Sequence, residues 1–234
     1  MAAIADNLQV VRTRIEAAAR AAGRDARAVT LLAVCKTQPA SLVREAAAAG
    51  QRAFGENYVQ DAVEKIDALG GETGGLEWHL IGPLQSNKTR LAAERFDWVQ
   101  TLASEKIARR LSQQRQAAMD AGKAPLNVLV QVNASGEASK SGVSPNEAFD
   151  LSRKILALKN LRLRGLMAIP EPGAPRERYR EVRDLYEKMK AQFGFDTLSL
   201  GMSDDMETAI AEGSTMVRIG TAIFGARRKQ RSAA

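Results

Sequence analysis

Short apolar, β-branched runs alternate along the chain with stretches whose apolar residues recur at helical spacing. Ile4, Leu8, Val11, Ile15 and Ala18/Ala19 share one face and stop at Gly23, which predicts a leading helix over Ile4–Ala22. Val29 to Cys35 carries six apolar residues in seven, the mark of a strand buried on both faces as in a parallel sheet. A helix over Ser41–Ala49 is closed by Gly50, a very short strand covers Arg52–Phe54, and Gly55-Glu-Asn57 leads into a helix ending near Leu69. Beyond a glycine-rich loop at Gly70–Gly75, strands are predicted at Leu76–Ile81, Asp97–Thr101 and Leu126–Val132. Helices lie between them at Ser86–Arg95 and from the N-cap Ser104 to about Ala121. Asn133–Gly142 is long, polar and rich in small residues, so it reads as a mobile or functional loop. Ser144-Pro145 opens a helix to about Leu158, followed by a strand at Leu163–Ile169. The helix over Arg176–Gln192 shows Tyr179, Val182, Leu185, Tyr186 and Met189 on one face. Thr197–Leu200, a short helix over Asp204–Glu212, Met216–Ile219 and a closing segment from Thr221 complete the alternation.

Eight strands separated by helices predict an α/β protein, a single (β/α)8 barrel over residues 1–234 with an extra N-terminal helix. Functional residues then belong on the loops that follow the strands' carboxyl ends. The alternative is an open doubly wound sheet, but no G-x-G-x-x-G follows the first strand.

Composition narrows the function classes. With 234 residues, 45% of them hydrophobic, the chain can bury a sizeable core. No run of about eighteen apolar residues exists, so no membrane span is expected. Asp6, Asn7, Arg12, Arg14 and Glu16 interrupt the start, which argues against a signal-peptide core. The single cysteine, Cys35, forms no intrachain disulfide, and a cytoplasmic location is expected. The net charge of +7 arises from 34 basic and 27 acidic residues, but acids are spread throughout and the one dense basic run, Arg227–Arg231, reads as a solvated tail. Nucleic acid is therefore not an expected partner; a modest positive field suits small phosphorylated ligands.

The candidate chemistry begins at Lys36, which ends the first strand just before Pro39 starts the next helix. Partial desolvation there would lower an ammonium pKa, and a neutral amine can form a Schiff base. A lysine that caps the strand and snorkels to water fits the same pattern. Late in the chain, Leu200-Gly-Met-Ser203 and Arg218-Ile-Gly-Thr221 each end a strand and open a helix, with small residues and backbone N–H groups suited to phosphate. Ordinary capping by Ser203 or Asp204 would explain the first of these without a ligand. Arg218 is a cation inside a short strand, on the same strand face as Gly220. A Schiff-base lysine, a phosphate cup and an arginine aimed at a ring nitrogen together describe a pyridoxal phosphate site.

Six stretches carry a resemblance to a known family: Val34–Pro39, Phe54–Gln60, Trp78–Lys88, Gly165–Pro170, Leu200–Asp205 and Val217–Gly225. With them the chain resembles the pyridoxal phosphate homeostasis proteins, whose barrel is similar to the N-terminal domain of alanine racemase (fold type III among pyridoxal phosphate proteins). The resemblance implies that Lys36 holds the cofactor as a Schiff base and that Arg218 faces the pyridine nitrogen. It implies that Ser203, Gly220 and Thr221 hold the phosphate, while Asn57, His79 and Met167 line the pocket. It also implies a carrier in vitamin B6 homeostasis that delivers to pyridoxal phosphate-dependent apoenzymes and turns over little or nothing; a monomer is expected.

Some relatives carry a second lysine where this chain has Gln38, which leaves Lys140 in the loop after the fifth strand as a substitute acceptor. His79, the only histidine, has no metal-ligand cluster near it in sequence and reads as a packing or hydrogen-bonding residue rather than a proton-transfer group. Two further functions use the same lysine and phosphate cup. One is a racemase-like enzyme, which related racemases complete with a group from an added β-domain; this chain runs only about ten residues past its last strand's loop. The other is a cofactor-free Schiff-base aldolase for sugar phosphates, which would be colourless.

Overall fold

Strands that are apolar on both faces need cover on both, and this chain supplies it by closing the sheet on itself. The computed structural model describes residues 3–73, 75–135 and 141–226. Eight parallel strands pair in chain order: β1 (Thr30–Val34), β2 (Ala53–Glu56), β3 (Glu77–Leu80), β4 (Trp98–Leu102), β5 (Leu126–Val132), β6 (Leu161–Ala168), β7 (Thr197–Ser199) and β8 (Met216–Ile219). The last pairs back onto the first, with Leu32 opposite Arg218 and Ala33 opposite Ile219. That closure excludes the open doubly wound sheet.

The helices are α1 (Ile4–Ala21), α2 (Ala40–Ala48), α3 (Val59–Leu69), α4 (Thr89–Arg95), α5 (Glu105–Asp120), α6 (Pro145–Leu156), α7 (Arg176–Phe193), α8 (Met206–Ala211) and α9 (Thr221–Phe224). Most predicted boundaries hold to within two residues. The departures have identifiable causes. β2 runs on to Glu56 because its ladder with β3 pairs Glu56 with Leu80. Gly70–Thr73 is a 3-10 turn rather than an open loop. Ser144 forms a reciprocal capping box with Glu147, whereas Ser104 occupies the N-cap of α5 without a side-chain cap bond. α8 starts only at Met206, so Ser203 and Asp204 stay in the preceding turn.

Outward-facing strand residues such as Ala33, Phe54, Leu80 and Val99 join the helices in one continuous core. The barrel interior is divided differently. Leu32, Ala53 and Met216 form one small apolar cluster with Ile81 against it, and Trp98, Leu129 and Met167 form another. Buried polar residues run between them: His79, Gln100, Ser199 and Arg218.

α1 braces the phosphate-side candidates. Asn7 Nδ2 donates to the Ile223 carbonyl (2.8 Å), closing the end of α9. Arg14 pairs with Glu207 of α8 and donates to the Ser203 carbonyl (3.3 Å). Ile4, Leu8, Val11, Ile15 and Ala19 bury the other side of α1. Leu8→Ala is therefore expected to lower unfolding free energy by about 2–5 kcal/mol, measured by denaturant titration. A loss under about 1 kcal/mol would mean that α1 is not part of this core.

Candidate functional site

The turn after β1 is strained where it matters. Cys35 N–H continues the ladder to the Gly55 carbonyl (3.0 Å), Lys36 follows, and Thr37 adopts φ +62°. A β-branched residue in that region is an outlier that persists only when its surroundings hold it. Gln38 N–H closes the turn on the Cys35 carbonyl (3.1 Å), and Pro39 takes the N-cap position of α2. Beneath the turn lies a buried group that the chain pattern did not announce. Glu56 pairs with Lys65, whose ammonium also donates to the Cys35 carbonyl (2.9 Å), and the Cys35 thiol donates to Glu56 Oε1 (3.3 Å). Burial, reinforced by Glu56, pushes the Cys35 thiol well above its usual range, so it stays protonated and serves packing.

Lys36 opens into a cavity of about 340 Å³ that brings it together with Asn57, Ser203, Arg218, Gly220 and Thr221, and with Gln38. The turn after β7 lines the same cavity. Gly201 has φ +98°, and a Cβ there would lie 2.5 Å from that of Ala209, so glycine is required. Asp205 holds the turn by accepting from Met202 N–H (2.5 Å) and from the Tyr179 hydroxyl (2.6 Å). Among the described residues the Ser203 and Asp204 N–H groups have no hydrogen-bond partner. After β8, a Cβ at Gly220 would sit 3.1 Å from the Val34 carbonyl, and the first N–H groups of α9 have no preceding helical turn to accept from them. The β7 and β8 turns thus bring uncommitted donors to the cavity that Lys36 enters.

Arg218 lies nearly wholly buried at the cavity's inner end. Its Nη1 donates to Ser199 Oγ (2.8 Å) and its Nη2 to the Ala168 carbonyl (2.9 Å). Burial lowers the guanidinium to about 10, with Asp205 pulling the other way, which leaves it cationic at neutral pH. It makes no ion pair among the described residues.

Two of the expected site residues lie elsewhere. His79 and Met167 have no exposed surface and do not line this cavity. The His79 ring stacks on Trp98 with centroids 5.1 Å apart and bonds to Glu77 and Gln100, in keeping with the packing and hydrogen-bonding role read from sequence. Lys140 and the basic run Arg227–Arg231 lie outside the described residues. A second compartment of about 520 Å³ shares Asn57, Ile81 and Ile169 with the first and extends over Thr101 and Gln131. Sequence reasoning missed Ser199 and Gln100. Their only signal is parity, a polar residue at an inward position of a buried strand.

Burial holds His79 below its ordinary 6.5, against the upward pull of Glu77. The unfolded chain therefore takes up a proton below about pH 6.5 that the folded chain refuses, so this contribution is present above 6.5 and lost as pH falls below it. The unfolding free-energy gap between the wild type and His79→Gln is expected to narrow from pH 7 to pH 5. A gap independent of pH would show that His79 titrates alike in both states.

A family model of the alanine racemase N-terminal domain matches residues 1–228. The chain is 55% identical over 231 residues to the pyridoxal phosphate homeostasis protein of Pseudomonas aeruginosa, covering 97% of each chain. It is also 55% identical over 231 residues to the protein of that name from Escherichia coli K12, covering 96% of this chain and 97% of that one. Among solved structures it is similar to PipY of Synechococcus elongatus PCC7942 with pyridoxal phosphate bound, at TM-score 0.81 and 35% identity over 95% of this chain and 100% of that one. No helix among the described residues is long and apolar enough to cross a membrane.

Proposed function

This chain belongs to the pyridoxal phosphate homeostasis protein family, built on the alanine racemase N-terminal domain, and from that premise we propose that it holds pyridoxal phosphate covalently and reversibly on Lys36. It acts as a monomeric cytoplasmic carrier in vitamin B6 homeostasis, giving the cofactor up to pyridoxal phosphate-dependent apoenzymes with little or no turnover of its own. The observation that carries this reading is the single cavity joining Lys36, Arg218 and the uncommitted donors of the β7 and β8 turns.

The residues present fit the group. Lys36 offers an amine, and the same cavity offers N–H groups and the Ser203 and Thr221 hydroxyls; the turns that carry them keep their close packing because a Cβ at Gly201 would collide with Ala209 and one at Gly220 would crowd Val34. Bound pyridoxal phosphate supplies an aldehyde that takes up amines and a ring that can accept electrons. Lys36 would anchor the aldehyde end, while Ser203, Gly220 and Thr221 hold the phosphate through charge-assisted bonds. Arg218 can only donate, so it favours an acceptor nitrogen in its neutral form and weakens the ring as an electron sink. Asn57 flanks the cavity; His79 and Met167 support it from beneath. Among its described lining residues, Lys36 and Asp204 are the only groups placed to take a proton, since Arg218 stays charged. That is a sparse set for stereochemical inversion.

The racemase-like alternative draws on the adjoining compartment, which has room for an amino-acid side chain. Stoichiometric loaded protein mixed with alanine in deuterated buffer separates the two. Proton NMR of the α-position is expected to show exchange over hours at most. Rapid multi-turnover exchange that vanishes in Lys36→Ala would replace the carrier by the enzyme.

A further inference from the structure

Arg218 is a buried cation with no carboxylate paired to it among the described residues, so something else must stabilise and orient it. Its Nη1 donates to Ser199 Oγ (2.8 Å), Ser199 Oγ donates to Gln100 Oε1 (2.7 Å), Gln100 Nε2 meets His79 Nδ1 (2.9 Å), and His79 Nε2 meets Glu77 Oε1 (2.7 Å). Ser199, Gln100 and His79 are each fully buried, while the Glu77 side chain is 43% exposed at the start of β3. The series thus crosses the barrel interior from the cavity to the opposite, amino-terminal mouth.

The direction of every bond follows from one contact. Gln100 Nε2 also lies 3.1 Å from the Met216 sulfur, and a thioether accepts but never donates. The nitrogen end of the Gln100 amide must therefore face Met216 and, with it, His79 Nδ1. An amide nitrogen only donates, so Nδ1 is the bare acceptor and the imidazole proton sits on Nε2, where it is donated to the Glu77 carboxylate. At the other end Gln100 Oε1 can only accept, so it takes the Ser199 hydroxyl proton and leaves the Ser199 lone pairs to Arg218. All four bonds point the same way, and their aligned dipoles place the negative end of the series toward a cation.

We propose that Ser199, Gln100, His79 and Glu77 are positioning residues for Arg218: a one-way hydrogen-bond chain that keeps the guanidinium oriented as a donor into the cavity and denies the cofactor ring nitrogen a proton. The inference rests on the pyridoxal phosphate reading for what lies above Arg218, and on the protein alone for the chain. A proton added at His79 Nδ1 would face the Gln100 NH2 group. Gln100 would have to turn over, losing the Met216 contact and forcing the Ser199 proton away from Gln100. The charged groups around His79 are Glu77 on β3, Asp97 ahead of β4 and Arg164 on β6, which lies 4.8 Å over the Trp98 ring; Arg218 is reached through the chain.

Because the protein has a single histidine, nitrogen-15 histidine labelling reads the chain directly. Two-bond proton–nitrogen spectra of the wild type without cofactor are expected to show Nε2 protonated and Nδ1 bare, unchanged from pH 8 to pH 6. Gln100→Glu, whose carboxylate cannot donate to Nδ1, is expected to move a proton onto Nδ1. Ser199→Ala removes the acceptor beneath Arg218 and is expected to weaken pyridoxal phosphate binding about tenfold or more. It is also expected to shift the pH profile of the loaded protein's absorption, with the thermal unfolding transition kept. A wild-type proton on Nδ1 overturns the chain, as does Ser199→Ala with affinity and pH profile within about twofold of wild type. If the wild type binds no pyridoxal phosphate, the functional reading falls, and with it the part of the proposal that faces the ring, whatever the histidine spectrum shows.

Discussion

Lys36→Ala is expected to abolish the cofactor fixed by borohydride, from near one per chain to background, while the barrel stays folded. Lys36 is the only primary amine among the described residues that line the cavity, and it lies where β1 meets β8, in the cavity that the β7 and β8 turns also line. Borohydride fixes only what is bonded to an amine, so the experiment reads attachment rather than affinity. The fold survives because the side chain leaves a turn rather than a packed core. Such substitutions usually cost within about 1 kcal/mol, while the Glu56–Lys65 pair and the Cys35 ladder bond beneath remain. Reduced cofactor recovered instead on a peptide containing Lys140 would move the anchor to the loop after β5. A colourless wild type that still takes phosphorylated sugars would favour the aldolase reading.

The second large effect concerns the phosphate. Pyridoxal lacking it should bind roughly two to four orders of magnitude more weakly, because bonds to a charged group contribute about 1.5–3 kcal/mol each and at least two would be lost. Geometry contributes beside electrostatics. Asp205 already ties down Met202 N–H, so the turn keeps its shape and the Ser203 and Asp204 N–H groups need not be ordered on binding. α1 holds both turns from outside through Asn7 and Arg14, which lowers the ordering cost further. Calorimetric titration of the two forms into cofactor-stripped protein measures the difference. Equal affinities would contradict the cup.

Much of this was legible in the chain because it is local. A β-branched run ending in one lysine, a proline three residues beyond it, and two glycines that each end a strand and open a short helical stretch are patterns of neighbouring residues, and local sterics read them the same way in any fold. The alternation of strand and helix likewise predicted the eight-stranded barrel, and the family motifs pointed to the cofactor. The boundary of β2 moved through contact with another strand: β2 extended to Glu56 because β3 offered it a partner.

What the chain order does not contain is which inward-facing residues meet. His79 and Met167 lie near cavity-lining positions in sequence, since Ile81 and Ile169 line the cavity two residues on, but one pleat repeat along a strand is about 6–7 Å and sets them beneath its floor. Glu56 and Lys65 are nine residues apart on different elements, and only the packing of α3 on β2 makes them a buried pair. The Arg218–Ser199–Gln100–His79–Glu77 series draws on β8, β7, β4 and β3, so its members become neighbours only when the barrel closes. Periodicity reports which face a residue occupies; closure and shear decide what stands across from it. The sequence by itself therefore determined the elements, the barrel and the residue types at the strand ends, whereas the tertiary structure alone decided that a donor-only arginine sits at the end of a directed polar chain.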